Sequence, residues 1–129
     1  MMAVSRIDLK AMAAALALGS LSACAGLDAP KEEADDPAYR ARIDQLAQHW
    51  CNARVAGAVE GAGVPADAIT QLYYTKELDS TNDRIIRYTA WMRLRDQPGY
   101  LVVDADAMTC RPMQIYTRFG AQVAGVASY

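Results

Sequence analysis

Hydrophobic and polar positions follow four rhythms along the chain, and each predicts a different kind of segment. Residues 11 to 23 form an almost pure Ala/Leu/Met run with no polar face. Residues 25 to 36, Ala-Gly-Leu-Asp-Ala-Pro-Lys-Glu-Glu-Ala-Asp-Asp, reverse that character with five acids and one base. Past Pro37, Ile43, Leu46, Ala47, Trp50, Ala53, Gly57 and Ala58 recur at helical spacing, while Arg40, Asp44, Gln48 and His49 fall largely elsewhere. Asp36 is a good N-cap and Pro37 suits the first helical position, because it has no N–H to leave unsatisfied. Gly61 and Gly63 stop the pattern, which therefore predicts one helix from Pro37 to about Glu60 with a single packing face.

From Ile69 the period becomes two. Turn signals at Asp79-Ser80-Thr81-Asn82-Asp83, at Asp96-Gln97-Pro98-Gly99 and between Asp106 and Pro112 divide the rest into strands near 69–78, 84–95, 100–106 and 113–119. Pairing Arg95 with Tyr100 across the second turn sets Leu94 opposite Leu101, Met92 opposite Val103 and Ala90 opposite Ala105, a consistent apolar face. Leu72, Tyr74, Met113 and Ile115 extend that face. The expected fold is α+β: one N-terminal helix packed on a four-stranded antiparallel β-meander, with one disulfide. The domain spans 37–119, and residues 120–129 read as a flexible tail of small residues.

The N-terminal apolar run changes the picture of where such a domain works. Arg6 and Lys10 precede a largely apolar run of 13 residues, too short for a spanning helix, which needs roughly 20. A buried helix with no polar face would need cover on all sides, which a domain this small does not offer. The run therefore reads as an export signal. Its end, Leu21-Ser22-Ala23-Cys24, resembles the bacterial lipobox: aliphatic, small, small, cysteine. The resemblance implies removal of residues 1–23, lipidation of Cys24 and acylation of the new amino terminus. Each buried methylene contributes about 0.8 kcal/mol, and several chains anchor stably where one does not. In this class aspartate after the cysteine commonly signals inner-membrane retention; Ala25 in that place implies the periplasmic face of the outer membrane. Residues 24–36 then read as the lipidated cysteine and an acidic, solvated tether.

Charge and cysteines narrow the chemistry. The mature chain would carry 11 Lys/Arg against 14 Asp/Glu, yet from Pro37 onward it has nine acids and ten bases. One net positive charge gives nucleic acid no footprint, and export removes that partner. With Cys24 used by lipid, Cys51 and Cys110 are an even pair in an oxidising compartment, which argues for one disulfide. A metal site or a Cys–His nucleophile is less supported: His49 is the sole histidine, and two residues from Cys51 on a helix it points elsewhere. No phosphate loop, nucleophile elbow, HExxH or CxxC pattern is present, so neither an enzyme nor a cofactor is expected. Asp104 and Asp106 lie on one strand face, where Arg87 and Arg93 are expected to pair with them.

One group of residues suggests binding. The same alternation places Arg87, Trp91, Arg93, Arg95, Tyr73, Tyr100, Tyr116 and Arg118 on the sheet face away from the single helix. Trp, Tyr and Arg bury large areas with few rotamers and still form hydrogen bonds, so they dominate interface energetics. A plainer reading is also open, since aromatic residues favour strands and an antiparallel sheet can wet one side. The leading expectation is a membrane-anchored, non-catalytic interaction or assembly subunit of the cell envelope with a protein partner. The alternative is a ligand-binding module that holds an anionic envelope molecule.

Overall fold

The structure is a computed structural model and describes residues 29–129. The export signal and Cys24 lie outside the described residues. Helix α1 spans Pro37–Leu46 and helix α2 spans Asn52–Gly61. A 3-10 turn at Ala66–Ala68 leads into β1 (Ile69–Leu78), β2 (Ile85–Leu94), β3 (Tyr100–Asp106) and β4 (Pro112–Arg118). A two-residue strand β5, Ala127–Ser128, completes one sheet of order β1-β2-β3-β4-β5. The class is α+β, with both helices packed on one face of a mixed sheet.

Asp36 caps α1 as its position implies, its carboxylate accepting from the backbone N–H of Ala38 and Tyr39. The single helix expected over 37–60 is instead two, and they follow an extended stretch rather than opening the described chain. A continuous helix of that length would run about 36 Å, beyond seven-residue strands such as β3 and β4 at about 23 Å. Breaking at Ala47–Cys51 lets both halves lie on the sheet. Asn52, buried at the break, donates to Asp44 Oδ1 at 2.8 Å and to the Ala47 carbonyl at 2.7 Å. It also accepts from the Tyr74 hydroxyl at 2.6 Å, so its amide is paired on every side. His49 Nδ1 accepts the Cys51 N–H at 3.1 Å and serves the start of α2.

The strands fall within a residue or so of their expected limits, but the β2–β3 register differs by two. Met92 faces Leu101, Ala90 faces Val103 and Tyr88 faces Ala105. The cause lies at the turn. Arg95 donates its N–H to Ala68 rather than pairing with Tyr100, so β2 ends at Leu94 and the connection is longer. A slip of two keeps every side chain on its expected face, whereas a slip of one would invert the sheet. Gly99 closes this turn at φ +70°, and a Cβ there would lie 2.1 Å from the Arg118 carbonyl oxygen, so glycine is required.

The core lies between helices and sheet, where Ile43, Val55 and Val59 meet Ile69, Leu72, Met92, Leu101 and Val103. Cys51 and Cys110 form the expected disulfide, which ties the start of α2 to the β3–β4 turn. The sheet is not the expected four-stranded antiparallel meander: β5 adds a fifth strand, parallel to β4, pairing Ala127 with Tyr116 and Ser128 with Thr117. Residues 127–128 belong to the segment read as a tail. Of the segment read as a tether, Glu33 donates its N–H to the Gly57 carbonyl and Glu32 takes two hydrogen bonds from Arg54.

Candidate functional site

The sheet face opposite the helices is built in cross-strand rows. Gln71, Arg93, Tyr100 and Arg118 form the first row, from β1 to β4. Tyr73, Trp91, Val102 and Tyr116 form the second, and Thr75, Thr89, Asp104 and Gln114 the third. Glu77, Arg87 and Asp106 form the last. Alternation alone puts these residues together, because side chains two apart along a strand share a face.

The first two rows hold a linked set of rings. Tyr73 and Trp91 lie with centroids 6.2 Å apart and planes at 10°. Tyr100 meets both edge-on, at 6.0 and 5.6 Å, and Phe119 meets Tyr100 at 6.5 Å. Such edge-to-face pairs contribute about 0.5–1.5 kcal/mol beyond area burial when well packed, less at a surface. Trp91 Nε1 donates to Thr75 Oγ1 at 2.9 Å, which fixes the indole. Val102, opposite Trp91 on one side and Tyr116 on the other, is completely buried, yet Tyr73 stays 40% and Phe119 64% exposed. Arg93 lies over Tyr100 at 5.2 Å and Arg118 over Phe119 at 4.9 Å. Burial, then the Tyr100 phenol beside it, pushes the Tyr73 phenol above its ordinary range.

The other end of the face is polar and internally satisfied. Arg87 lies 3.0 Å from Glu77 and 3.7 Å from Asp104. Thr89 donates to Asp104 Oδ1 at 2.8 Å, and burial, with Asp104 beside it, pushes the Tyr116 phenol up. Asp106 instead accepts from the Met108 and Thr109 N–H groups and the Thr109 hydroxyl, bracing the turn before Cys110. The Thr109 hydroxyl is the main reason its carboxyl is held below the usual range. The two aspartates thus have separate tasks, and Arg93 reaches neither. Arg95 stands apart from the ring cluster, donating to the Asp67 carbonyl at 2.8 Å. Seven of the eight expected contact residues therefore share the face, and five of them, Tyr73, Trp91, Tyr100, Arg93 and Arg118, form or flank the ring cluster.

A second exposed apolar group was not legible in the helical pattern. Trp50, expected on the packing face, is 60% exposed because the helix breaks beside it. It meets Tyr88 edge-on at 6.2 Å, and Ile86, Leu78 and Met108 are also exposed at this end of the sheet. His49 stacks on Tyr74 at 3.8 Å and meets Tyr88 edge-on, and burial lowers its pKa. The signal available was length: ten-residue β1 and β2 outrun their helical cover.

No helix among the described residues is long and apolar enough to cross a membrane, and among them no three His, Cys, Asp or Glu side chains gather as a metal site would require. No family model matches the chain, and no curated protein or solved structure matches it either.

Proposed function

We propose that the chain is an exported lipoprotein, anchored through Cys24 at the periplasmic face of the outer membrane, whose domain is a non-catalytic interaction or assembly subunit of the envelope. The observation that carries the reading is the Tyr73–Trp91–Tyr100–Phe119 cluster on the sheet face that no helix among the described residues covers. The rings are already positioned by one another and by Thr75, so docking a partner orders little that is not ordered beforehand. The Cys51–Cys110 disulfide accords with an oxidising compartment, and the signal and lipobox residues supply the route and the anchor.

Tagged full-length chain, crosslinked in host envelopes, tests both parts. Cys24→Ala moves the chain to the soluble fraction, and Trp91→Ala lowers affinity for a discrete protein partner by about tenfold or more while the thermal unfolding midpoint changes little. Recovery of the same partner by Trp91→Ala at wild-type level would sink the docking reading; membrane retention of Cys24→Ala would sink the anchor.

A second reading, an anionic-ligand module, draws on Arg93 and Arg118. Among the described residues, four cavities of 200 to 360 Å³ open elsewhere: between α2 and residues 29–31 and 124–127, at the β1–β2 turn, beside the β2–β3 turn and on α1. A flat face suits a protein surface better than a small ligand, which needs concavity to be buried. Steep loss of binding with salt would favour the anion.

A further inference from the structure

The outer face carries three arginines in its rows, and among the described residues one of them is paired with acids. Arg87 lies between Glu77 and Asp104. Among the described residues, Arg93 and Arg118 form no ion pair. They flank one ring: Tyr100 pairs directly with Arg118 on β4, and the register that sets Met92 opposite Leu101 places Arg93 on its β2 side. With strands about 4.8 Å apart, the backbones bearing the two arginines are separated by roughly 10 Å. Each guanidinium carbon lies over a ring, a contact that uses none of the N–H donors, and neither side chain donates a hydrogen bond among the described residues.

Two like charges held across a single tyrosine form a site that an anion completes. A carboxylate is the planar two-oxygen acceptor that matches a guanidinium fork. The row beside it is Tyr73, Trp91 and the buried Val102, so whatever brings the anion meets an aromatic surface at once. On the compensated side, Asp104 and Glu77 repel a second acid, which fixes the direction in which a partner lies.

We infer that the protein partner of this face presents a carboxylate, from Asp, Glu or a chain terminus, between Arg93 and Arg118, with apolar neighbours against Tyr73 and Trp91. The inference rests on the docking reading and adds the partner's chemistry to it. Zero-length coupling tests it directly. The full-length double variant Arg93→Lys/Arg118→Lys keeps both charges and offers amines that a carbodiimide joins only to an acid in contact. The expected product links position 93 or 118 to an Asp, Glu or terminal carboxyl of one protein, and adding Trp91→Ala removes it. Arg93→Glu/Arg118→Glu lowers affinity for that protein by about tenfold or more. Equal affinity after charge reversal, or coupling to a phosphorylated glycolipid instead, would overturn the carboxylate. A photo-crosslinker at Gln71 separates the two failures: a protein captured there without coupling at 93 or 118 leaves docking standing and removes only the acid. Capture of nothing at Gln71 removes both.

Discussion

His49 shows how much a single side chain's setting differs from its setting in a helical wheel. Spacing makes it one polar residue on a long helix; the structure places it in the break, stacked on Tyr74 and accepting the Cys51 N–H through Nδ1. Burial lowers its pKa below the ordinary 6.5, and protonation of Nδ1 would turn that acceptor into a donor facing another N–H. A group with a depressed folded pKa binds fewer protons folded than unfolded, so its contribution is present above about 6.5 and is lost as pH falls through the lower folded value. The thermal midpoint of the wild-type chain should therefore drop between pH 7 and 5 by more than that of His49→Gln. Parallel profiles for the two would contradict this setting. The Asp106 contribution has the same sign in a lower window, lost only as pH falls below about 3.8.

At the scale of elements, the strands and the outer limits of the helical segment were legible and its break into two helices was not. Alternation with strong turn signals bounds a strand twice, by period and by punctuation, so β1 to β4 fall where Asp79–Asp83, Asp96–Gly99 and Asp106–Pro112 put them. Register depends on the geometry of one turn, and Arg95 changes it through a contact with Ala68 that no local pattern encodes. The helix break is equally non-local. It is held by Asn52 with Tyr74 and by a disulfide to residue 110. β5 is two residues long, below what periodicity can register. The packing of residues 31–33 on α2 rests on two glycines. A Cβ at Gly61 would lie 2.2 Å from the Lys31 carbonyl oxygen, and one at Gly57 3.0 Å from that of Glu33. Gly61→Ala should push residues 31–33 off the helix, at a net cost of about 1 kcal/mol after the gain in helix propensity. Glu33 amide exchange should speed up with it; unchanged exchange would mean that the contact is incidental.

For the whole molecule, the two-layer arrangement of the described residues leaves one sheet face without helical cover. Two ten-residue helices cover one side, and the disulfide fixes them to the far turn. A bridge across 59 residues of chain is worth about 4 kcal/mol in the loop-entropy account. Cys51→Ser/Cys110→Ser should lower the unfolding free energy in urea by that order; a loss under about 1 kcal/mol would mean that packing alone holds the helices. The composition of the outer face was legible because face membership needs only parity, which survives a two-residue slip. Which arginines are compensated was not legible, since that depends on register and rotamer together: Arg87 has its acids, Arg95 turns to a backbone carbonyl, and Arg93 and Arg118 lie on rings.

Site-specific photo-crosslinking in living host cells tests the docking claim most directly, with the crosslinker placed at Gln71 or Gln114 on the outer face and at Gln45 or Ala53 on the helix face. The account predicts one discrete protein adduct from Gln71 and Gln114, lost with Trp91→Ala, and none from the helices. Adducts confined to Gln45 or Ala53 would contradict it.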